Sequence, residues 1–412
     1  DRSTGGKEER NYLLAVKIVR IVQMSYSLQD HQYMARAIQL ARKGRFTTTP
    51  NPNVGCVLVK DGNIIGQGWH QKAGTGHAEV NALQDLSVAA SIGATAYVTL
   101  EPCSHFGRTP PCALRLIDAK VARVVIAMLD PNPKVAGQGV AKLEAAGIRV
   151  DTGLLEVEAR RLNPGFLTRM EQKRPFVQLK LASSIDGKTA LANGESKWIT
   201  SGAARADEQQ HRAEACAIIS TAQTVLADDA RLDVRSTNLN FDYPQSEHIK
   251  DVRQPVRIIL DGGRRITQAQ AGKLALFQSD GPIYLVRSDS NHTSLSRHTS
   301  IGQESKTLAG AHVVTLPYDA GKGFDLQALL NWCHQQDWGK VWVEAGATLA
   351  ASFVQQGLFD ELILYQAPKI LGKNGREALP IGPFTSMSEV HQLSLNSTRQ
   401  LGNDIKFTFG RN

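Results

Sequence analysis

The sequence predicts a two-domain α/β protein, on three observations. At 412 residues the chain exceeds what one hydrophobic core of ordinary size supports. Short apolar runs alternate with segments of helical periodicity, which implies sheets covered on both faces. The pattern resets once, at Glu171-Gln172-Lys173-Arg174-Pro175. Residues 24–171 then form one domain and 172–412 the other. Residues 1–23 match neither and read as an extension: Asp1 to Gly6 looks like an upstream remnant, no small-residue cleavage site marks a signal peptide, and Met24 is a natural start.

In the first domain, Ser27-Leu28-Gln29-Asp30 opens an amphipathic helix running to Lys43, with Gly44 as its stop. Val54 to Lys60 and Asn63 to Trp69 are apolar runs joined by Asp61-Gly62, a hairpin signal. His77 to Leu86 has helical spacing. Thr95 to Leu100 reads as a strand, Cys112 to Ala119 as a helix and Arg123 to Met128 as a strand. Val140 to Ala146 is a helix, Ile148 to Val150 a short strand, and Leu155 to Met170 a linking helix. In the second domain, Phe176 to Leu181, Ala217 to Thr221, Val256 to Leu260, Ile283 to Val286, Val313 to Leu316, Val341 to Glu344 and Glu361 to Tyr365 read as buried strands. Ala203 to Ala215, Leu326 to Gln335 and Thr348 to Gln356 read as helices, Asp186-Gly187 as a turn, and Ser236 to Pro255 as a surface loop.

The bulk numbers narrow the class. A net charge of +8 suits an anionic ligand, but no dense Lys/Arg block of the nucleic-acid type exists. The five cysteines form no disulfide framework, which points to a reducing, cytoplasmic setting. The apolar stretch Tyr12 to Met24 is broken by Lys17 and Arg20 and is too short to span a membrane.

The chemistry concentrates in His77-Ala78-Glu79, Pro102-Cys103 and Cys112. One His and two Cys fill three positions of a tetrahedral zinc and leave one for water. The metal brings that water's pKa toward neutrality, and Glu79 can move protons. Residues two apart on a helix do not share a face, so Glu79 and His77 do not hold one ion together. An H-x-E…P-C pattern is the signature of zinc nucleobase deaminases. Its usual second half is P-C-x-x-C, whereas eight residues separate Cys103 from Cys112. Gly107, Pro110 and Pro111 make the interval a loop that rejoins a helix at Cys112. Helix starts at the ligand segments favour thiolates. A structural zinc with His105 as fourth ligand is the alternative.

The second domain has no G-x-G-x-x-G fingerprint. Between a strand and a helix it has Glu344-Ala345-Gly346-Ala347-Thr348-Leu349, small residues that allow either a phosphate at the helix start or simply a tight turn.

Taken together, these residues resemble the bifunctional riboflavin-biosynthesis deaminase–reductase family. The matching stretches are Asn51-Pro52-Asn53-Val54-Gly55-Cys56-Val57, His77-Ala78-Glu79, the long interval Glu101 to Cys112, Asp130-Pro131-Asn132-Pro133, Ser184-Ile185-Asp186-Gly187-Lys188, Ser196-Lys197-Trp198-Ile199-Thr200, Val225-Leu226-Ala227-Asp228-Asp229 and Val343-Glu344-Ala345-Gly346. The expanded Cys-to-Cys loop is itself a feature of that family. The resemblance implies a cytidine-deaminase-like three-layer α/β/α domain followed by a dihydrofolate-reductase-like α/β domain. It implies one Zn²⁺ per chain on His77, Cys103 and Cys112, Glu79 as the catalytic proton carrier, and NADPH in the second domain. The implied substrate is a phosphorylated ribosylaminopyrimidine, whose exocyclic 2-amino group would be hydrolysed first and whose ribose would then be reduced at C1′.

Residue by residue, the resemblance gives Asn51, Arg108 and Asn132 to the deaminase pocket, with Arg108 placed for phosphate. Turn chemistry is the competing reading for Asn51 and Asn132, since both neighbour proline. Substrate contacts of the reductase fall on Lys180, Ser196, Arg212, Leu232, Arg235 and Glu344; two arginines suit a phosphate. NADP contacts fall on Ala182, Trp198, Thr224, Asp228 and Gly346. Asp186 could line the pocket or serve the turn. By composition alone Arg212 reads as a solvated helix charge and Trp198 as core. A homo-oligomer is compatible with the resemblance. Two rival readings remain: a nucleic-acid deaminase with an appended binding domain, disfavoured by dispersed charge and 6% aromatics, and a zinc-stabilised interaction module, disfavoured by Glu79.

Overall fold

The computed structural model describes residues 26–105, 110–132, 135–241, 252–288, 302–319 and 321–411. The reading of residues 1–23 lies outside them, as does Arg108. The chain forms two compact units. One runs through Gly44 and resumes over Asn53–Asn163; the other comprises Arg45–Pro52 and Pro164–Asn412. No described helix is long and apolar enough to cross a membrane.

The first unit runs α1 (Leu28–Arg42), β1 (Gly55–Lys60), β2 (Asn63–Trp69), α2 (Ala78–Leu83), β3 (Thr95–Val98), α3 (Cys112–Asp118), β4 (Arg123–Ile126), α4 (Gln138–Ala145) and β5 (Arg149–Thr152). Ser27 and Asp30 close a reciprocal capping box at the start of α1. The five-stranded sheet has the order β2-β1-β3-β4-β5. Strand β1 pairs antiparallel with β2 and β3, while β3, β4 and β5 are parallel. Two glycines show the layers. A Cβ on Gly55 would lie 1.9 Å from the Ala37 carbonyl oxygen of α1; one on Gly68 would lie 2.4 Å from the Ala82 nitrogen of α2. Gly68 pairs with Cys56, the neighbour of Gly55, so α1 and α2 cover opposite faces. Cys56 and Leu58 face a core with Ala82, Ala113, Leu116 and Leu143, which adds α3 and α4 to the α2 side. Leu116 and Leu143 are fully buried, so truncating either to Ala costs about 2–5 kcal/mol. The Arg123 guanidinium donates to Asp30 at 2.7 Å and Asp151 at 2.6 Å, and Tyr97 Oη donates to Asp30 at 2.7 Å. This tie fixes α1 to β3, β4 and β5.

The second unit is built on a ten-stranded sheet. Its strands are β6 (Phe176–Ser184), β7 (Ala217–Thr221), β8 (Val256–Leu260), β9 (Ile283–Ser288), β10 (Gly302–Leu308), β11 (Ala311–Leu316), β12 (Lys340–Val343), β13 (Glu361–Ala367), β14 (Leu393–Leu401) and β15 (Asp404–Arg411). The spatial order is β10-β11-β9-β8-β7-β12-β6-β13-β15-β14. From β11 to β13 the neighbours are parallel, and β10, β15 and β14 are antiparallel additions. Helices α5 (Gly202–Glu214), α6 (Ala222–Asp228), α7 (Leu326–Gln335) and α8 (Ala347–Gln355) connect the strands. The chain leaves β6 for β7, proceeds outward to β11, and returns to place β12 between β7 and β6. The carboxyl ends of β6, β7 and β12 therefore meet at a topological switch point, where open α/β sheets bind ligands.

Several expectations are corrected here. The linking helix over 155–170 is two helices, Glu156–Arg160 and Pro164–Gln172. Pro164 lacks the N–H an unbroken helix would need and suits a first helical position. Asn163 also leaves the helix to serve β1's approach: its Oδ1 accepts from Asn53 N at 2.7 Å and its Nδ2 donates to the Asn53 carbonyl at 2.9 Å. The compact units part at Asn163/Pro164. Residues 45–52 pack with the second unit, Phe46 joining Ala213, Val234 and Leu239 in a small core. The β14–β15 hairpin was not anticipated. Within the expected surface loop, Ser236–Asn238 is a 3-10 turn and residues 242–251 are outside the described set.

Candidate active sites

In the first unit the three ligand candidates converge. His77 is the N-cap of α2, in extended conformation. Cys103 follows the β3 loop, and Cys112 opens α3 behind Pro111. The Nδ1 atom of His77 lies 3.6 Å from Cys103 Sγ and 3.2 Å from Cys112 Sγ. All three ligand atoms fall within 4.8 Å of one another, and no other His, Cys, Asp or Glu among the described residues joins the group. His105 therefore does not complete a four-ligand structural site. A tetrahedral zinc with Zn–S of about 2.3 Å and Zn–N of about 2.1 Å needs N···S edges of about 3.6 Å, so the set fits the ion. The backbone N–H of Cys112 donates to Cys103 Sγ at 3.3 Å, a helix-start amide aimed at a thiolate. Without metal, the hydrogen bond from Cys112 and that from His77 hold the Cys103 thiol down at about 4, while the same contact and burial push Cys112 up. The Cys103 interaction raises the pKa of His77. Both shifts describe a thiolate sharing hydrogen bonds in a confined space.

Glu79 sits in the first turn of α2 at 2% exposure. Burial, followed by the Cys103 charge, raises its carboxyl above the ordinary range. A carboxyl of that kind can hold a proton at one stage and release it at another. Asn132 lies in the turn after β4, where its N–H is capped by Asp130 Oδ1 at 2.8 Å. Asn51 accompanies the second unit in Arg45–Pro52, its N–H bonded to the Thr48 carbonyl at 2.8 Å. Both asparagines thus do turn work through their backbones, which leaves their side-chain roles open to test.

In the second unit a polar cluster lies where β6, β12 and α5 meet. Arg212 of α5 grips Glu344 with two bonds, Nη2 at 2.5 Å and Nε at 2.9 Å. Trp342 Nε1 donates to the same carboxylate at 3.0 Å, and Arg212 Nη1 donates to the Asp233 carbonyl at 3.0 Å. Arg212 and Lys180 together pull the Glu344 carboxyl down to about 2 against its burial. Lys180 pairs with Glu208 at 3.0 Å, and that acid with Glu344 keeps the lysine raised despite burial. Arg212 is thus largely shielded and paired, not the solvated charge its polar helix suggests. Leu232 is 1% exposed with φ +54, and Arg235, three residues on, is exposed with its N–H on Gln209.

Three of the residues matched to NADP contacts lie near strand ends. Ala182 is near the end of β6, Thr224 is in the first turn of α6 just after β7, and Gly346 is the N-cap of α8 just after β12. A Cβ on Gly346 would meet nothing within 4 Å, so a ligand can approach the start of α8 closely. Trp198 is 62% exposed, stacked under Arg205 at 4.2 Å; a core position is thereby corrected. Lys197 Nζ donates to the Asp228 carbonyl at 3.1 Å, which joins the Ser196–Trp198 segment to the end of α6. Asp186 binds the N–H groups of Leu371 and Gly372 at 3.0 and 2.8 Å, a turn-to-loop pin.

Sequence reasoning missed the layer beneath this site. Asp207 accepts from Tyr365 Oη at 2.8 Å and Lys406 Nζ at 2.6 Å. Lys406 also donates to His211 Nε2 at 2.7 Å, and the His211 ring stacks on Trp342 at 4.7 Å. The available signal was the spacing Asp207, Glu208, His211, Arg212, one face of a helix.

Comparison with known proteins agrees with both halves. The zinc-binding region of cytidine and deoxycytidylate deaminases matches residues 27–128, and the RibD C-terminal domain matches residues 175–407. The riboflavin biosynthesis protein RibD of Escherichia coli strain K12 is 47% identical over 383 residues, 92% of this chain and 98% of its own. That of Haemophilus influenzae is 46% identical over 390 residues, 94% and 98%. The solved structure of Acinetobacter baumannii RibD superposes with a TM-score of 0.80 at 42% identity, covering 93% of this chain and 99% of that one. The deaminase/reductase of Thermotoga maritima gives 0.76 at 31%, with the same coverage. Domain order and extent agree, and the chain belongs to the RibD family of bifunctional riboflavin-biosynthesis enzymes, a zinc-dependent deaminase and an NADPH-dependent reductase in one polypeptide.

Proposed function

We infer that the chain catalyses hydrolytic deamination of 2,5-diamino-6-ribosylamino-4(3H)-pyrimidinone 5′-phosphate and then reduces the ribosyl group to give 5-amino-6-(5-phosphoribitylamino)uracil. The observation that carries this reading is the His77/Cys103/Cys112 cluster with buried Glu79 beside it, in a chain that also holds the reductase cluster. Zn²⁺, when bound by those three residues, supplies an activated water for attack on the ring carbon. Glu79 takes the proton of that water and passes it to the departing amino group, so ammonia leaves. Its raised pKa suits both steps. Asn51 and Asn132 orient the ring through polar contacts, and Arg108 takes the phosphate.

In the reductase, NADPH, when bound, would supply the hydride for ribose C1′. The start of α8 at Gly346, with Ala182, Trp198, Thr224 and Asp228, holds the cofactor. Glu344, fixed by Arg212 and Trp342 with Lys180 nearby, binds substrate polar groups, and Ser196 and Leu232 add further substrate contacts. Because Glu344 already occupies the fork of Arg212, Arg235 is the guanidinium free to meet the phosphate. Dispersed charge supports a small anionic substrate with no nucleic-acid partner, and reduced cysteines support a cytoplasmic enzyme, here taken to act as a homo-oligomer. Without NADPH, the purified chain should accumulate the deaminated ribosylamino compound, and adding NADPH should consume it. Accumulation of the undeaminated, reduced compound would contradict this order.

A further inference from the structure

Glu101 lies two residues before the metal candidate Cys103 and is 4% exposed. A buried carboxylate ordinarily needs a cation or several donors. Glu101 has four donors, all backbone. Its Oε2 accepts from Asp130 N at 3.1 Å and Gly137 N at 3.0 Å. Its Oε1 accepts from Gly139 N at 2.9 Å and Val140 N at 3.3 Å. Gly137 is the N-cap of α4, in left-handed conformation with φ +75, and it offers no side chain to the helix start. The carboxylate of Glu101 therefore caps α4 from the loop after β3.

Two further observations show that the two segments are fitted together. A Cβ on Gly139 would stand 2.1 Å from the Pro102 carbonyl oxygen, so only glycine permits this approach. Lys142 Nζ, one turn into α4, donates to the Ser104 carbonyl. Glu101, Gly139 and Lys142 thus clamp the stretch that carries Cys103 to the helix that follows the Asp130–Asn132 turn. The same carboxylate holds Asp130 N, and Asp130 in turn caps Asn132 N.

We propose that Glu101 is a positioning residue of the deaminase, which sets the Asn132 turn against the metal-bearing loop so that the pyrimidine is bound in reach of Glu79. The inference rests on the reading of Asn132 as a substrate contact. Glutamine at 101 would turn an amide N–H₂ toward one pair of backbone donors, releasing either the α4 start or the Asp130 turn while keeping the size of the side chain.

The test is Glu101→Gln in the full chain, with zinc content, steady-state ammonia release and NADPH oxidation measured on one preparation. The expected result is about one zinc per chain, a KM for deamination raised about tenfold, kcat changed much less, and unaltered reductase kinetics. An unchanged KM, or loss of zinc with kcat falling instead, overturns the proposal: Glu101 would then serve the metal fold alone. If the Gln variant does not accumulate, Glu101→Asp, which withdraws the charge by one methylene, carries the same expectations. Asn132→Ala separates the underlying reading. Its KM should rise, and combination with Glu101→Gln should add little further; a full additive effect shows that Glu101 does not act through Asn132. A normal KM in Asn132→Ala alone removes that residue as a contact, whatever Glu101→Gln does.

Discussion

Replacing Arg212 by alanine tests the reductase site most severely. The side chains of Arg212 and Glu344 are 11% and 14% exposed, with bonds of 2.5 and 2.9 Å between them. Removing one partner of such a pair costs about 3–5 kcal/mol, because the other charge stays buried. Here Trp342 Nε1 and the nearby charge of Lys180 remain to Glu344, which places the cost near the lower figure, about 3 kcal/mol. If that loss falls on the transition state, the reductase kcat/KM drops by about two orders of magnitude. Arg212→Lys keeps the charge but not the fork and should recover only part. The assay is NADPH oxidation with the deaminated substrate, alongside ammonia release from the same preparation. A reductase kcat/KM within threefold of the parent would refute the reasoning, since the pair would then be ornamental to the site. A parallel fall in ammonia release would refute it differently, by showing that Arg212 supports the whole chain.

Other outcomes follow from the same geometry. Glu79→Gln should keep zinc and reductase turnover of the deaminated substrate while deamination falls by about 10²–10⁴-fold; persisting ammonia release would remove Glu79 as the proton carrier. Chelation of the metal should abolish ammonia release and leave NADPH oxidation with the deaminated substrate intact, read on one sample before and after zinc is restored. The Glu344 carboxyl is depressed from 4.5 to about 2. Its contribution to stability is thus fully present above about pH 4.5 and is lost as pH falls toward 2, at most about 3 kcal/mol. Acid unfolding of the reductase unit should steepen in that window, and Glu344→Gln should flatten it. A titration identical in both proteins would contradict the assignment.

What the sequence made legible was local. His77, Glu79, Cys103 and Cys112 could be read because each sits at a turn or helix start whose residues announce it, and the Asp61-Gly62 hairpin formed for the same reason. The break at Asn163/Pro164 was equally local and was passed over because apolar spacing continues across it. The alternation Ile405-Lys406-Phe407-Thr408-Phe409 was a legible strand signal for β15. The polar layer under the reductase site was not legible in that way. Asp207 finds Tyr365 and Lys406, and Glu208 finds Lys180, across long sequence separations. A helix such as α5, rich in charge, looks solvated until the sheet supplies its partners. Glu101 was hidden for a related reason: its partners are backbone amides of residues 130 to 140, which no side-chain pattern reveals.

The central claim is that one chain performs both reactions on one substrate in sequence. The direct measurement supplies the purified protein with zinc, the diaminopyrimidinone phosphate and NADPH, and follows ammonia release and NADPH oxidation together. Equal final amounts of ammonia and oxidised NADPH, with ammonia appearing first and NADPH oxidation absent in Glu79→Gln, are the result expected. NADPH oxidation that proceeds at the parent rate in Glu79→Gln on the undeaminated substrate, or ammonia release with no NADPH oxidation at all, would contradict it.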